Sequence, residues 1–212
     1  MSVARDQILD WLRRSAEVLA ENKDYLTQLD ADIGDADHGI NMDRGFKKVA
    51  GSLPSLSSKD IGEVLKGTGM ALISSVGGAS GPLYGTFFLR AANVAAGKSE
   101  LNTLEVSAIL RAGLAGVIER GKAQAGDKTL VDVLTPAAEA VEQAANNGKD
   151  LKSALEAGVK AAEEGMRSTI QMKAREGRAS YLGDRSMGHQ DPGATSAYLV
   201  LKALLEAVAG KG

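Results

Sequence analysis

The amino-acid sequence predicts an all-α protein, and three observations lead to this prediction. Apolar residues recur at spacings of three and four along most of the chain, which is the period of one face of an α-helix. Aromatic residues make up only 4% of the chain, whereas alanine and leucine are abundant, a composition that suits closely packed helices. We find no convincing strand. The expected elements are therefore helices joined by loops.

The first four helices are indicated by apolar stripes at helical spacing. One of them also has a start signal, because Ser57 with Asp60 three residues later is typical of an N-terminal cap. The stripes are Ile8, Leu12 and Leu19 in residues 4–22; Met42, Phe46 and Val49 in residues 39–52; Ile61, Val64, Leu65 and Leu72 in the capped helix; and Leu83, Phe87, Phe88 and Val94 in residues 80–97.

The last four helices follow the same pattern in residues 102–118, 131–146, 150–174 and 191–208. Asp191 followed by Pro192 is a strong start for the last one, because Asp is a good N-cap and proline is favoured at the first helical position. Short connections between most of the eight helices favour antiparallel neighbours. No repeat or linker divides the sequence, so we expect a single domain over residues 1–212.

Composition and charge exclude several classes of protein. Charged residues make up 25% of the chain and the net charge is -2, so no basic surface argues for nucleic acid. No apolar run approaches the length of a membrane span. The chain has no cysteine, which excludes disulfides, thiolate catalysis and cysteine-based zinc sites. The N-terminus lacks the apolar core of a signal peptide, and we therefore expect a cytoplasmic protein.

The most informative segment is the acidic stretch of residues 30–39. It contains four aspartates and His38, one of only two histidines in the chain. Carboxylates this close repel each other unless solvent or a cation compensates their charge, and carboxylate oxygens are ligands that Mg²⁺ and Ca²⁺ prefer. The spacing does not match an EF-hand loop, and a solvated acidic turn is the alternative interpretation. We expect a Mg²⁺ site that shares its metal with phosphate oxygens.

Three further connections contain groups that suit a phosphate. Residues 77–82 lead into a helix, where free backbone N–H groups favour an anion; a close helix crossing is an equally good interpretation of these glycines. For residues 126–129, taken alone, a surface loop that caps the next helix is the favoured interpretation. Residues 175–193 form a long loop of the kind that is usually functional or disordered, and its Arg178 suits a diphosphate.

Five segments of the chain together resemble one family. They are residues 30–42, 77–85, 126–129, 177–183 and 188–194. The family is that of the ADP-binding L subunits of bacterial dihydroxyacetone kinases that depend on the phosphotransferase system. The similarity covers essentially the whole chain, with the segments in the same order.

The resemblance implies an antiparallel barrel of eight helices with a nucleotide site in the loops at one end. It implies ADP or ATP held as a bound coenzyme with two Mg²⁺ ions, and no catalytic residue beyond their ligands. Asp30, Asp35 and Asp37 would bind the metal. The cofactor-binding residues would be His38, Gly39, Ile40, Asn41, Ala79, Ser80, Gly121, Leu130, Arg178, Asp191, Pro192 and Gly193.

The implied activity is a relay of a phosphoryl group. A phosphohistidine of an M subunit, supplied from phosphoenolpyruvate, would convert bound ADP to ATP. The γ-phosphoryl would then pass to dihydroxyacetone held by a K subunit and give dihydroxyacetone phosphate. Phosphoryl transfer requires mainly positioning and charge neutralisation, in agreement with the groups described above. Two alternatives stay open, namely a kinase subunit that exchanges free ATP and a non-catalytic nucleotide-sensing module that docks on a transcription regulator. A homodimer is also left open.

Overall fold

The computed structural model describes residues 2–210, and almost all of this part of the chain is helical. Within it nine α-helices follow one another: α1 (Arg5–Glu21), α2 (Lys23–Ile33), α3 (His38–Leu56), α4 (Ile61–Ser75), α5 (Ser80–Val94), α6 (Thr103–Gly121), α7 (Val131–Asn146), α8 (Leu151–Ser168) and α9 (Pro192–Ala209). Two 3-10 helices, Thr169–Gln171 and Arg178–Ser186, lie between α8 and α9.

The prediction of a helical protein is confirmed, but the count of eight helices is wrong, because α2 was not expected. Residues 30–33, predicted as part of an acidic loop, form the last turn of this helix. The apolar pattern of α2 is sparse, since its buried residues are Leu26, Asp30 and Ile33. Here a charged residue occupies a position where a core helix normally has an apolar one, and periodicity alone does not detect it.

Three other expectations are also corrected. The strands β1 (Val3–Ala4) and β2 (Glu100–Leu101) form a two-residue antiparallel ladder. Strands this short give no recognisable alternation of apolar and polar residues in the sequence. The segment 175–193 is not devoid of helix, because the 3-10 helix Arg178–Ser186 fills its middle, interrupted by a left-handed Gly183 with φ +57°. The α-helix expected over residues 150–174 ends at Ser168.

The helices pack mainly against their neighbours in the chain. From α3 to α9 each helix contacts the next, and α9 contacts α1, which in turn packs on α3. This succession includes eight of the helices, and α2 lies against α3 and α9. Within residues 2–210 none of the helices has the length and hydropathy needed to cross a membrane.

Aromatic rings fill the centre of the core. Trp11, Phe46 and Phe88 are almost completely buried, and the centroid of Phe88 lies 5.6 Å from that of Trp11 and 6.5 Å from that of Phe46. The Trp11 indole N–H donates a 2.8 Å hydrogen bond to the carbonyl of Val200. Since Trp11 is in α1 and Val200 in α9, this bond joins the first and last helices.

Glycines allow α4 and α5 to approach closely. A Cβ at Gly69 would lie 2.8 Å from the carbonyl oxygen of Gly85, and a Cβ at Gly85 would lie 2.9 Å from that of Gly69. Any side chain at these positions would separate the two helices. The close crossing of α4 and α5 therefore depends on Gly69 and Gly85, which lie outside residues 77–82.

We predict that Gly69→Ala lowers the free energy of unfolding by about 1–3 kcal/mol, the usual effect of overpacking. Gly51→Ala is the matched control, because Gly51 is an exposed position inside α3 with open space around its Cβ. That control should stabilise the protein by about 0.5–1 kcal/mol through helix propensity. Urea unfolding followed by circular dichroism measures both, and equal effects of the two substitutions would contradict the prediction.

Candidate functional site

A cavity of about 590 Å³ opens where several helix ends meet. Its wall is formed by the end of α2, the turn before α3, the start of α5, the connection between α6 and α7, and the connection between α8 and α9. These are the segments that the sequence analysis identified as chemically rich. The fold therefore brings four separate parts of the chain to one place.

Three aspartates converge at this cavity. Asp30, Asp35 and Asp37 each offer a carboxylate oxygen, and these oxygens all lie within 4.8 Å of one another. Asp30 is buried at the end of α2, whereas Asp35 and Asp37 follow in the turn towards α3. The turn passes through Ala36 in a left-handed conformation, φ +59°, which non-glycine residues adopt rarely and mostly at special positions.

Asp30 holds this turn in place. Its Oδ2 accepts hydrogen bonds from the backbone N–H groups of Asp37, at 2.8 Å, and His38, at 3.1 Å. These bonds satisfy two backbone donors at the start of α3. Asp37 is the N-cap residue of that helix but makes no capping bond with its own side chain. Gly34 is required here because a Cβ would lie 2.0 Å from Asp30 Oδ1.

The three carboxylates fit a hard divalent cation. Two oxygens bound to one Mg²⁺ ion lie roughly 3 to 4 Å apart. A small movement of the exposed Asp35 and the half-exposed Asp37 would therefore bring all three carboxylates within reach of one ion. Asp35 already has a cationic neighbour, since its Oδ2 lies 3.0 Å from Arg178 Nη2. Asp32, the fourth aspartate of the segment, is outside the group and lies 3.6 Å from Nδ1 of His189.

His38 lies behind the aspartates and is buried. Burial lowers the pKa of its imidazole to about 4, although Asp30 and Asp37 act in the opposite direction. The ring is therefore neutral at pH 7 and carries one proton. Its Nδ1 lies 3.2 Å from Ser80 Oγ, and its Nε2 lies 2.9 Å from Ser196 Oγ.

The surroundings of Ser196 indicate which imidazole nitrogen carries that proton. Ser196 Oγ lies 3.0 Å from the carbonyl of Gly193 and 2.7 Å from the Tyr84 hydroxyl. The carbonyl can only accept, so it takes the single Ser196 proton. In that arrangement Tyr84 and His38 Nε2 both donate to Ser196, and the Tyr84 hydroxyl lies at a longer 3.5 Å from the same carbonyl. His38 Nδ1 is left as an acceptor on the side of Ser80.

The start of α5 offers donors to an anion. Ala79 is the N-cap and makes no side-chain capping bond, so backbone N–H groups of the first turn are available beside the cavity. Gly78 precedes it with φ +63°. Asp191 begins α9 in the predicted way and accepts from Ala194 N–H at 2.6 Å. Burial is the main cause that raises the pKa of Asp191 to about 7.

The connection between α6 and α7 differs from the expectation. Residues 126–129 were interpreted, taken alone, as a surface loop, but Asp127 and Lys128 are buried. The expected link to the next helix is present, because Asp132 accepts from the backbone N–H of Thr129 at 2.8 Å. The surface interpretation is wrong because these polar side chains turn inwards to bond other loops, which no local pattern reveals.

The predicted nucleotide-binding residues divide into two groups. Those in the wall of the cavity are His38, Ala79, Ser80, Gly121, Leu130, Arg178, Asp191, Pro192 and Gly193. Gly39, Ile40 and Asn41 are not part of that wall. Gly39 packs on α2, Ile40 is half-exposed, and Asn41 Oδ1 accepts from Arg44 at 2.6 Å. Their contact with a nucleotide stays a prediction.

Several residues of the site were not predicted. Gly77, Gly78, Lys128 and Thr129 line the cavity, and all four lie in motifs that the sequence analysis had singled out. Tyr84 and Ser196 act from behind His38. Ser196 in α9 contacts His38, and Tyr84 in α5 contacts Ser196, so only the packing of three helices brings them together.

Comparisons with known proteins bear on the family to which the chain belongs. The model of the DAK2 domain family matches residues 32–206. The ADP-binding subunit DhaL of the PEP-dependent dihydroxyacetone kinase of Escherichia coli (strain K12) is 52% identical, over 96% of this chain and 97% of that protein. The corresponding subunit of a PTS-dependent kinase of Lactococcus lactis subsp. lactis (strain IL1403) is 42% identical, over 96% of this chain and 98% of that protein.

A solved structure has the same fold. The dihydroxyacetone kinase from C. freundii, crystallised in complex with AMP-PNP and Mg²⁺, matches with a TM-score of 0.75 and 26% identity. The match covers 97% of this chain but 34% of that chain, so the protein spans about a third of that kinase. The resemblance found in the sequence is confirmed by these matches. The chain belongs to the DAK2 domain family.

Proposed function

We propose that this chain is the ADP-binding subunit of a phosphoenolpyruvate-dependent dihydroxyacetone kinase. One observation carries the proposal: three converging carboxylates, an arginine and the free N-terminus of a helix share one cavity. Carboxylates alone would bind a cation, and the helix start alone would bind an anion. Their combination suits a metal–diphosphate complex. The identity of 52% with an ADP-binding subunit, over nearly the full length of both proteins, supports this ligand.

Each group has a proposed role in the relay. Asp30, Asp35 and Asp37 would hold two Mg²⁺ ions, which would neutralise phosphate charge. Arg178 adds a permanent positive charge at the same side, and the first turn of α5 donates N–H groups to phosphate oxygens. Gly121 and Leu130 line the side of the cavity that receives the adenine. The neutral His38 adds no charge and supports Ser80.

The reaction divides between subunits. The phosphohistidine of an M subunit transfers its phosphoryl group to the β-phosphate of bound ADP, breaking an N–P bond and forming an O–P bond. The γ-phosphoryl group then passes to a hydroxyl of dihydroxyacetone held by a K subunit, giving dihydroxyacetone phosphate. The hydroxyl proton leaves to a group of the K subunit. Both partners must therefore reach the open end of the cavity.

Further features belong to the same proposal. We propose a single domain over residues 1–212, in which the eight helices of the closed succession form an antiparallel barrel with the nucleotide at one end. The contacts of α9 with α1 support this arrangement. We place the protein in the cytoplasm, where the kinase partners would be. A homodimer and docking on a transcription regulator stay alternatives for assembly.

A kinase subunit that exchanges free ATP is the second candidate. It is favoured by the similarity to the larger kinase chain that was crystallised with AMP-PNP and Mg²⁺. Retention of the nucleotide distinguishes the two. Purified protein that keeps ADP through desalting supports a bound coenzyme, and rapid loss of ADP supports exchange. A nucleotide-sensing module would keep ADP as well, but it would accept no phosphoryl group from the M subunit.

We predict that the chain alone does not phosphorylate dihydroxyacetone, with or without ATP. Transfer should appear only when K and M subunits are added with phosphoenolpyruvate and the general proteins of the phosphotransferase system. A coupled assay of dihydroxyacetone phosphate measures the product, and omission of each subunit in turn is the control. Sustained turnover by the isolated chain would refute the division of roles.

We predict that Asp35→Asn and Asp37→Asn each weaken the binding of Mg–ADP more than about tenfold, a loss of about 1.4 kcal/mol. Asp30→Asn should also lower stability, because Asp30 holds the start of α3 as well as the metal. Asp32→Asn is the matched control, since this neighbouring carboxylate lies outside the group. Calorimetry gives the affinities, and unchanged values for Asp30, Asp35 and Asp37 variants would remove the metal assignment.

We predict that removal of ADP and Mg²⁺ lowers the melting temperature. A ligand that binds only the folded state stabilises it by about 4 kcal/mol at a thousandfold excess over its Kd. The segment 175–193 should become the first site of protease cleavage, because Arg178 then loses its phosphate contact. Limited proteolysis with and without nucleotide tests this, and an identical cleavage pattern would show that the segment packs independently of the ligand.

A further inference from the structure

One buried cation has no role in the proposed function. The side chain of Lys128 is 1% exposed, and its backbone is left-handed, with φ +64°. Burial of a charged amine and a left-handed backbone at a residue with a side chain are both unfavourable. They persist only where the surrounding structure compensates them. The contacts of Lys128 therefore indicate what this conformation achieves.

The Lys128 ammonium bonds two distant backbone carbonyls. Its Nζ donates to the carbonyl of Thr169 at 2.6 Å and to that of His189. Thr169 follows α8 directly, and His189 lies just before α9. We call residues 169–191 the α8–α9 connection. Lys128 thus holds both ends of this connection from a third segment of the chain.

Other bonds close the connection at the same place. The N–H of Gly188 donates to the carbonyl of Ile170 at 2.7 Å, and the N–H of Asp191 donates to Thr169 Oγ1 at 3.1 Å. The N–H of Arg175 donates to the carbonyl of Asp127, the residue before Lys128, at 3.1 Å. The base of the connection is therefore a small polar network with Lys128 at its centre.

The connection carries Arg178 to the aspartates. Arg178 is mostly exposed, and among residues 2–210 its one ion pair is with Asp35. The apolar support of this part is small, because Ala174 and Ala179 with Ile33 of α2 form a cluster separate from the main core. Because this part has few apolar contacts, the position of Arg178 depends on how the two ends of the connection are fixed.

We propose that Lys128 is a positioning residue that fixes both ends of the α8–α9 connection and thereby places Arg178 at the phosphate side of the cavity. The loop that holds Lys128 continues into Leu130, which also lines the cavity. The role of Arg178 in this proposal rests on the proposed function, whereas the clamp on the connection does not.

The clamp is tested without nucleotide. Lys128→Met keeps the aliphatic stem and removes the ammonium, so protease cleavage within residues 171–188 should become about tenfold faster while the helix content is retained. Lys122→Met is the matched control, because Lys122 is also left-handed, with φ +61°, but exposed. Unchanged cleavage in folded Lys128→Met would overturn the proposal.

Chemical rescue tests whether the charge is responsible. The chain has no cysteine, so Lys128→Cys provides a single thiol. Alkylation with 2-bromoethylamine in denaturant, followed by refolding, restores an ammonium at nearly the same length, and iodoacetamide gives a neutral control. The aminoethylated protein should regain slow cleavage and the amide form should not. Equal cleavage of the two forms would overturn the role of the ammonium.

A measurement on the unmodified chain decides the matter if Lys128→Met does not fold. The amides of Arg175, Gly188 and Asp191 should then exchange hydrogen through one shared opening, with the same dependence on urea. Three independent openings would contradict a common clamp.

The coupling to Arg178 is tested by the affinity for Mg–ADP. Lys128→Met, Arg178→Ala and the double variant form a cycle. If Lys128 acts through Arg178, the double variant should bind no more than about twofold worse than Arg178→Ala. Fully additive losses would limit Lys128 to a structural role and overturn the positioning claim. If the wild-type chain fails to bind Mg–ADP while the cleavage results hold, the proposed function fails and the clamp stands.

Discussion

The carboxylate of Asp30 accepts two backbone N–H groups from the start of α3, and the geometry of the site depends on this interaction. It replaces the side-chain cap that α3 lacks, bends the chain so that Asp35 and Asp37 face the same point, and fixes the backbone of His38. A hydrogen bond from a backbone amide to a carboxylate is stronger than a neutral one. One side chain therefore serves both the fold and the proposed metal site.

Polar groups behind the cavity are arranged so that their hydrogen bonds are satisfied. His38 is neutral and is linked through Ser196 to Tyr84, whose pKa is raised by burial. Burial lowers the pKa of Lys128, and the nearby Asp191 acts against that shift. The Lys128 ammonium donates to the carbonyls of Thr169 and His189, so in the proposed site Arg178, the start of α5 and bound metal ions would supply the positive potential that faces a diphosphate. This division separates groups that shape the cavity from groups that would hold the ligand.

Much of the fold and of the site could be predicted from the sequence, and the exceptions have physical causes. Helices with dense apolar stripes, such as the one that contains Met42, Phe46 and Val49, were predicted, as was the start of α9 at Asp191. The α2 helix was not predicted because a buried aspartate, Asp30, occupies a position where an apolar residue would be expected. The buried state of Lys128 and the contact of His38 with Ser196 depend on elements far apart in the chain. Local patterns do not encode such contacts.

The packing of Gly39 on α2 has a consequence for how substitutions in the nucleotide motif should be understood. A Cβ at position 39 would lie 2.0 Å from the carbonyl oxygen of Lys23 in the first turn of α2. Any larger residue would push that helix away from α3, and Asp30 would move with it. A change at Gly39 would then disturb the proposed metal site without removing a carboxylate. Loss of ligand binding in a Gly39 variant would therefore report the docking of α2 on α3, whether or not Gly39 touches the nucleotide.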